Sequence, residues 1–172
     1  MPLSLIRRRH DAGSCRSEAL YSPCESYRYL LRRDWGHGPH LLYILLNPST
    51  ATEERNDPTL ERCERRARAL GFGGFAVANI FAFRATDPAL LRTAQDPIGP
   101  GNDTIMAEAS AVAGMVLCGW GHHGAYAGRG SVARQMLHTA DATLWCLGLT
   151  RAGHPRHPLY LSYRTAPRLW AQ

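Results

Sequence analysis

The feature that most constrains the fold is an uninterrupted apolar run at residues 41–46, which ends at Asn47-Pro48. The run is too short to span a membrane and too uniformly apolar for a strand with one solvated face, so it predicts a central parallel strand buried on both faces. Proline cannot donate to the ladder and favours an extended residue before it, so the strand should end at Asn47. Because ligands of open α/β sheets bind beyond the carboxyl ends of strands, Asn47 is a candidate functional residue.

The rest of the chain alternates between short apolar segments and segments with helical signals. Three further buried strands are predicted at residues 75–79, 115–119 and 143–147. Helices are predicted at residues 58–70, from Asn102 or Asp103 to near Gly114, and at residues 131–139. The first helix has a strong start signal, with Asp57 as the N-cap residue and Pro58 at the first helical position.

This alternation predicts an α/β fold, specifically a three-layer α/β/α sandwich around a central, mainly parallel four-stranded sheet. Residues 27–33 have strand-like composition and are expected to add an N-terminal antiparallel edge strand. Residues 1–26 show no regular period and predict an irregular N-terminal arm. Residues 27–172 are then expected to form a single α/β/α domain.

The charge balance points to a polyanionic partner. The net charge is +6, and all 20 basic side chains are arginine, which binds phosphate better than lysine does. Nucleic acid or a nucleotide is therefore the expected partner, although a GC-rich genome would also remove lysine. No long apolar segment suggests a membrane span or a signal peptide, so we expect a cytoplasmic protein without a membrane partner.

Neither a metal nor another cofactor is expected from the cysteines and histidines. The five cysteines show no CxxC spacing, and Cys15 and Cys24 fit no zinc pattern. A metal or phosphate site at His122, His123 and His154 is the alternative, but the loop carrying His154 has no acidic residue to complete it.

Two of the four asparagines, Asn47 and Asn79, end predicted buried strands. An amide can both donate to and accept from the edge of a base, although it can also simply cap a strand end by bonding nearby backbone. Because the carboxyl ends of neighbouring parallel strands share one rim, two such asparagines favour a functional role over capping.

Several motifs resemble a bacterial family known as domain of unknown function 1643. They are Leu-Asn-Pro-Ser-Thr-Ala at 46–51, Asn-Asp-Pro-Thr-Leu at 56–60, Asn-Ile-Phe-Ala-Phe-Arg-Ala-Thr at 79–86, Gly-Trp-Gly-His-His-Gly at 119–124 and Gly-His-Pro-Arg-His-Pro-Leu-Tyr at 153–160. The resemblance covers most of the chain but implies no activity.

The layout is also similar, more remotely, to the uracil-DNA glycosylase superfamily. Leu45-Leu46-Asn47-Pro48 stands where those enzymes have a Gly-x-Asn/Asp-Pro type motif, with leucine in place of glycine. Asn79 matches their asparagine after the next core strand. Residues 154–159 resemble their His-Pro-Ser-Pro-Leu type loop, with an altered interior. The resemblance implies a uracil-DNA glycosylase-like fold.

The resemblance also implies roles for individual residues. Asn47 would position a water for attack on the sugar carbon, and His154 or His157 would stabilise charge on the departing base. The implied substrate-binding residues are Pro48, Ser49, Asn79, Phe81, Phe83, Arg84, His122 and Arg156. Among them, Asn79 would hold the base edge and Phe81 or Phe83 would stack on the base.

The resulting hypothesis is a base-binding pocket that hydrolyses the N-glycosidic bond of a modified or deaminated base. An asparagine cannot act as a carboxylate base, so such an enzyme should be slow unless Asp57 supplies a carboxylate. Helix capping is the simpler explanation of Asp57. The alternative is a non-catalytic protein that binds nucleic acid or a nucleotide on the same rim, because Arg156 either contacts phosphate or blocks the groove.

Overall fold

A computed structural model describes residues 2–171 of the chain. Its strands are β1 (Ile6–Ala12), β2 (Cys15–Tyr21), β3 (Arg28–Asp34), β4 (His40–Leu45), β5 (Gly74–Asn79), β6 (Met115–Cys118), β7 (Leu144–Cys146) and β8 (Arg168–Leu169). Its α-helices are α1 (Pro58–Ala69), α2 (Asn102–Val112) and α3 (Arg129–Thr139). The chain is therefore a mixed α/β structure, and no helix in the described range is long and apolar enough to cross a membrane.

All eight strands form one sheet in the order β1-β2-β3-β5-β4-β6-β7-β8. Strands β5, β4, β6 and β7 pair in parallel, whereas the other four of the seven pairings are antiparallel. The prediction of a mainly parallel four-stranded sheet with a single antiparallel edge strand is therefore only partly right, because the sheet has eight strands and most of its pairings are antiparallel. It underestimated the antiparallel part because the strands added at the two edges lack the long apolar runs of the middle strands.

The predicted irregular arm at residues 1–26 is largely a β-hairpin. Strands β1 and β2 pair from Ile6–Tyr21 to Ala12–Cys15, and Gly13 in the turn has a positive φ of 61°. Cross-strand ion pairs from Arg7 and Arg9 to Glu18 replace the apolar alternation that usually marks a strand. This charged exposed strand has no hydrophobic period, which is why the pattern of the sequence did not predict it.

Helices cover both faces of the sheet. On one face, Leu60, Cys63 and Ala67 of α1 pack against side chains of β3, β4 and β5. On the other, α2 and α3 contribute Met106, Ala133 and Leu137 to a second apolar cluster. The alternate residues of β4 face the two clusters, so the strand is buried on both sides and its carboxyl end is fixed from both.

Two helices begin differently from the prediction. Gly101, with a positive φ of 74°, is the N-cap of α2, and Asn102 is a buried residue of its first turn. Helix α3 begins at Arg129 rather than Ser131. In both places a buried polar side chain at the helix start bonds backbone elsewhere, and that long-range contact leaves no signal in the local sequence.

Candidate functional site

A cavity of about 550 Å³ lies beyond the carboxyl ends of the parallel strands. The loops after β4, β5, β6 and β7 all contribute to it, as does the start of α1. Its walls comprise Leu46, Asn47, Ser49, Thr50, Asp57, Pro58, Thr59, Ala85, Thr86, Pro88, Trp120, Gly121, His122, His123, Thr150, Arg156, His157, Leu159, Tyr160 and Leu161. This volume is within the range of pockets that hold small molecules, roughly 300–1,000 Å³.

Asn47 lines the cavity and ties two of its loops together. Its Nδ2 donates to the carbonyl of Pro48 at 3.0 Å and to that of Ala85 at 2.8 Å. Two carbonyl acceptors fix the orientation of the amide, since only the NH₂ group can serve both. The group that remains is Oδ1, so Asn47 can offer a ligand or a water an acceptor but not a donor.

Asp57 places a carboxylate on the same cavity while it caps α1. Its Oδ1 accepts from the backbone N–H of Leu60 at 2.9 Å, and its Oδ2 accepts from that of Ala51 at 3.3 Å. Each carboxylate oxygen can accept a further hydrogen bond, so capping and a role in the cavity are compatible. The capping prediction is thus confirmed, and the carboxylate is also part of the cavity wall.

Two buried arginines hold the loop between Asn47 and Asp57 through hydrogen bonds. Arg28 donates to the carbonyl of Ala51 at 2.5 Å, and burial lowers the pKa of its guanidinium to about 10. Arg33 donates to Thr52 O at 2.8 Å and to the side chain of Asn56 at 2.8 Å. These arginines therefore satisfy loop carbonyls rather than contribute to a surface for a polyanion.

His157 is the histidine with the most strongly perturbed environment. Its Nδ1 accepts a hydrogen bond from the backbone N–H of Leu159 at 3.2 Å, which only an unprotonated nitrogen can do. Burial lowers its pKa to about 4, and nearby Asp57 only partly opposes that effect. The ring is therefore neutral at physiological pH, with its hydrogen on Nε2, the nitrogen that can donate to a ligand.

Helix α1 also fixes the segment that follows His157. Arg62 donates to the carbonyls of Pro158 and Leu161, and Arg66 donates to Thr165 O at 2.6 Å and Ser162 O at 3.0 Å. Arg65 and Arg68 lie instead on the exposed face of α1, where they pair with Glu61 and Glu64. The cavity wall beyond His157 is thus attached to the helix that carries Asp57 at its N-cap.

The rim of the cavity is exposed and rich in donors and aromatic rings. The rings of His122 and His123 lie with their centroids 4.0 Å apart, and both residues are exposed. Burial, followed by the nearby side chains of His122 and Arg92, lowers the pKa of His123. Tyr160 is 81% exposed although it lines the cavity, so its ring is free to contact a ligand.

A family comparison covers the segment that builds this site. The model of the family described as "Protein of unknown function (DUF1643)" matches residues 28–159, which run from β3 to the loop after His157. The chain belongs to the DUF1643 family. No curated protein and no solved structure is significantly similar to the chain. The similarity to uracil-DNA glycosylases therefore rests on the short motifs alone.

The structure brings five of the predicted site residues together on the cavity: Asn47, Ser49, His122, Arg156 and His157. Pro48 is buried between Asn47 and Ser49 and does not line it. His154 also lies outside the cavity wall. The backbone of His154 is paired with Thr150, which itself lines the cavity.

The remaining predicted residues lie at the end of β5 and in the segment after it, where the chain turns into the interior. Asn79 is 2% exposed and Phe81 is fully buried in the core against Tyr126. Phe83 packs edge-on to Tyr27, and Arg84 donates to the carbonyl of Glu25. None of these four residues is part of the cavity wall, so their predicted roles in base binding receive no support from its geometry.

Sequence reasoning missed Tyr160 and preferred helix capping over a role in the site for Asp57. Tyr160 ends the Gly-His-Pro-Arg-His-Pro-Leu-Tyr motif, so a signal was present, but an exposed aromatic after a proline-rich loop has no predictable direction. Among residues 2–171, no group of three histidine, cysteine, aspartate or glutamate side chains is placed to hold a metal ion.

Proposed function

We propose that this protein binds a nucleobase-containing ligand in the cavity and hydrolyses its N-glycosidic bond. The observation that carries the proposal is the meeting, on one cavity wall, of the Asn47 acceptor, the Asp57 carboxylate and the neutral His157 ring. These groups suit the two requirements of the reaction, which are a positioned water and a donor for the leaving base.

In the proposed reaction, Asn47 Oδ1 and Asp57 hold the attacking water. The water oxygen bonds to the sugar carbon C1′ as the C–N bond to the base breaks. One proton of the water passes to the Asp57 carboxylate, and the electron pair of the broken bond stays on the base nitrogen. The base nitrogen then takes up that proton from Asp57, and the base leaves the cavity. Water and substrate thus yield a hydroxyl at the sugar carbon C1′ and a free base with a hydrogen on its nitrogen.

His157 stabilises the departing base in this scheme by donating from Nε2. Because Leu159 N–H fixes Nδ1 as the acceptor, the donor tautomer is set before the substrate binds. The neutral imidazole already carries this Nε2 hydrogen at physiological pH, so it can donate to the base without first taking up a second proton. Removing such a preorganised donor typically lowers kcat by about 10²–10³.

The hydroxyl and aromatic groups of the wall supply recognition. Ser49, Thr50 and Thr59 can donate to or accept from the edge of a base. Tyr160 replaces Phe81 and Phe83 as the proposed stacking partner, because it is the exposed aromatic residue on the cavity. Stacking between a base and an aromatic side chain contributes about 1–3 kcal/mol.

The alternative, a non-catalytic protein that binds nucleic acid or a nucleotide, is favoured by one observation. Asn47 and Asp57 both have structural hydrogen bonds that explain their presence without catalysis. Under this alternative the same cavity binds the ligand and no base is released.

The test is base release from a panel of DNA and RNA oligonucleotides and free nucleosides that carry uracil, hypoxanthine or alkylated bases. Two histidines of one loop provide matched variants. We expect His157→Ala to lower kcat at least about a hundredfold and His154→Ala to change it little, since only His157 lines the cavity. Binding without release on every substrate would select the alternative, and equal losses in both variants would contradict the role of His157.

A further inference from the structure

Arg156 is the permanent cation on the cavity wall, and no protein group neutralises it within residues 2–171. The residue is exposed, and its hydrogen bond is made by its backbone N–H to the carbonyl of Gly148 at 2.9 Å. Other arginines near the cavity behave differently, because Arg28, Arg33 and Arg62 each donate to loop carbonyls. The guanidinium of Arg156 therefore keeps its donors for a ligand.

The backbone holds Arg156 beside the histidine pair of the rim. The N–H of Gly121 donates to the carbonyl of Pro155 at 2.7 Å, which joins the loop after β6 to the loop after β7. His122 directly follows Gly121, and Arg156 directly follows Pro155. This hydrogen bond fixes the two loops so that both side chains lie on one cavity.

The wall carries one acidic side chain, Asp57, and among the described residues no hydrogen bond or ion pair joins Asp57 to Arg156, His122 or His123. Arg156, His122 and His123 therefore form a rim of donors that no carboxylate on the wall pairs with. A guanidinium presents its donors in a fork that matches the oxygens of a phosphate. A rim of this composition fits an anionic oxygen-rich group better than a neutral one.

We infer that the ligand of this cavity carries a phosphate group, and that Arg156 binds that phosphate with His122 beside it. The inference rests on the proposed function for the base and adds the chemical class of the ligand, a phosphorylated nucleoside. A free nucleotide and one unit of a nucleic-acid strand share this chemistry. A bare nucleoside lacks it and binds more weakly.

The experiment measures equilibrium binding to the full chain by calorimetry, so it does not depend on catalysis. The probes are the common nucleosides, their 5′-monophosphates and a short single-stranded oligonucleotide of mixed sequence. The variants are Arg156→Met and, as a control with the same change of charge, Arg164→Met, which is exposed and does not line the cavity. Both substitutions are at exposed positions, so both proteins should fold.

We expect at least one monophosphate to bind about tenfold or more tightly than its nucleoside, and Arg156→Met, but not Arg164→Met, to remove that difference. If only the oligonucleotide binds, with the same dependence on Arg156, the ligand is a strand rather than a free nucleotide and the inference stands. Equal binding of nucleosides and monophosphates would overturn it while leaving the proposed reaction intact. Phosphate-dependent binding without base release would instead remove the proposed catalysis alone. No binding of any probe would overturn both.

Discussion

The ends of β4 and β5 have similar sequences, but one lies on the cavity and the other is buried. Both strands are buried and pair in parallel. An asparagine follows β4, and another asparagine is the last residue of β5. Asn47, after β4, is partly exposed and lines the cavity. Asn79, the last residue of β5, is 2% exposed, and its carbonyl accepts from the buried Asn102 at 2.8 Å. A strand end becomes a site only where the chain beyond it stays at the surface.

The contacts that the chain makes beyond each strand explain the difference. After β5, Arg129 donates to the carbonyl of Ile80 at 2.7 Å and pairs with Asp103, so the starts of α2 and α3 close over this end. After β4, the loop that ends at Asp57 leaves an open cavity above it. We therefore regard the β5 end as structural and the β4 end as functional, and the following experiments test that division.

The largest expected effect on stability comes from Arg129→Met at the β5 end. The substitution removes the partner of Asp103 and leaves the buried carbonyl of Ile80 with only the longer hydrogen bond from Asn102 Nδ2, at 3.4 Å. We expect the free energy of unfolding in urea to fall by about 2 kcal/mol, mainly through loss of the charged hydrogen bond to the Ile80 carbonyl. Ligand binding per folded molecule should not change, because Arg129 does not line the cavity. Loss of binding in a folded Arg129→Met protein would show that the two strand ends are coupled.

Per pH unit, a smaller effect is expected from titration of His157 at the cavity. Its folded pKa of about 4 lies below its ordinary value of 6.5, so the unfolded chain binds the extra proton first as the pH falls. This contribution to stability is complete above 6.5 and is lost as the pH falls through the window towards 4, by at most about 1.4 kcal/mol per pH unit.

Urea denaturation across that window, on the native chain and on His157→Gln, measures this contribution. The variant should lose the part of the pH dependence that comes from His157. His37→Gln, at an exposed histidine, should retain it. Identical pH profiles for the native chain and His157→Gln would contradict the neutral, donor-fixed ring that the proposed reaction requires.

The middle of the sheet could be predicted from the sequence, but its edges could not. The apolar runs now seen as β4, β5, β6 and β7 are recognisable because burial on both faces requires uniformly apolar residues. The hairpin of β1 and β2 uses ion pairs such as Arg9–Glu18 instead, which have no hydrophobic period. The alternation of helices and strands thus predicted the α/β class without the extent of its antiparallel part.

The sequence predicted which loops form the candidate site but not which of their side chains line the cavity. Asn47 and His157 follow buried strands and do line the cavity. His154, three residues from His157, does not, because a local turn with Thr150 holds its backbone. Phe81 was expected at the site and lies in the core instead. Which way a side chain points after a strand depends on contacts with distant residues, and these are not encoded locally.

The most direct test of the division between the two strand ends is kcat/KM for base release by Asn47→Ala and Asn79→Ala, measured on the substrate that the panel identifies. Each rate is to be normalised to the folded fraction, because Asn79 is buried. We predict that Asn47→Ala lowers kcat/KM by about a hundredfold, while Asn79→Ala, once normalised, stays close to the native value. A large loss in Asn79→Ala with little change in Asn47→Ala would contradict the assignment of function to the β4 end.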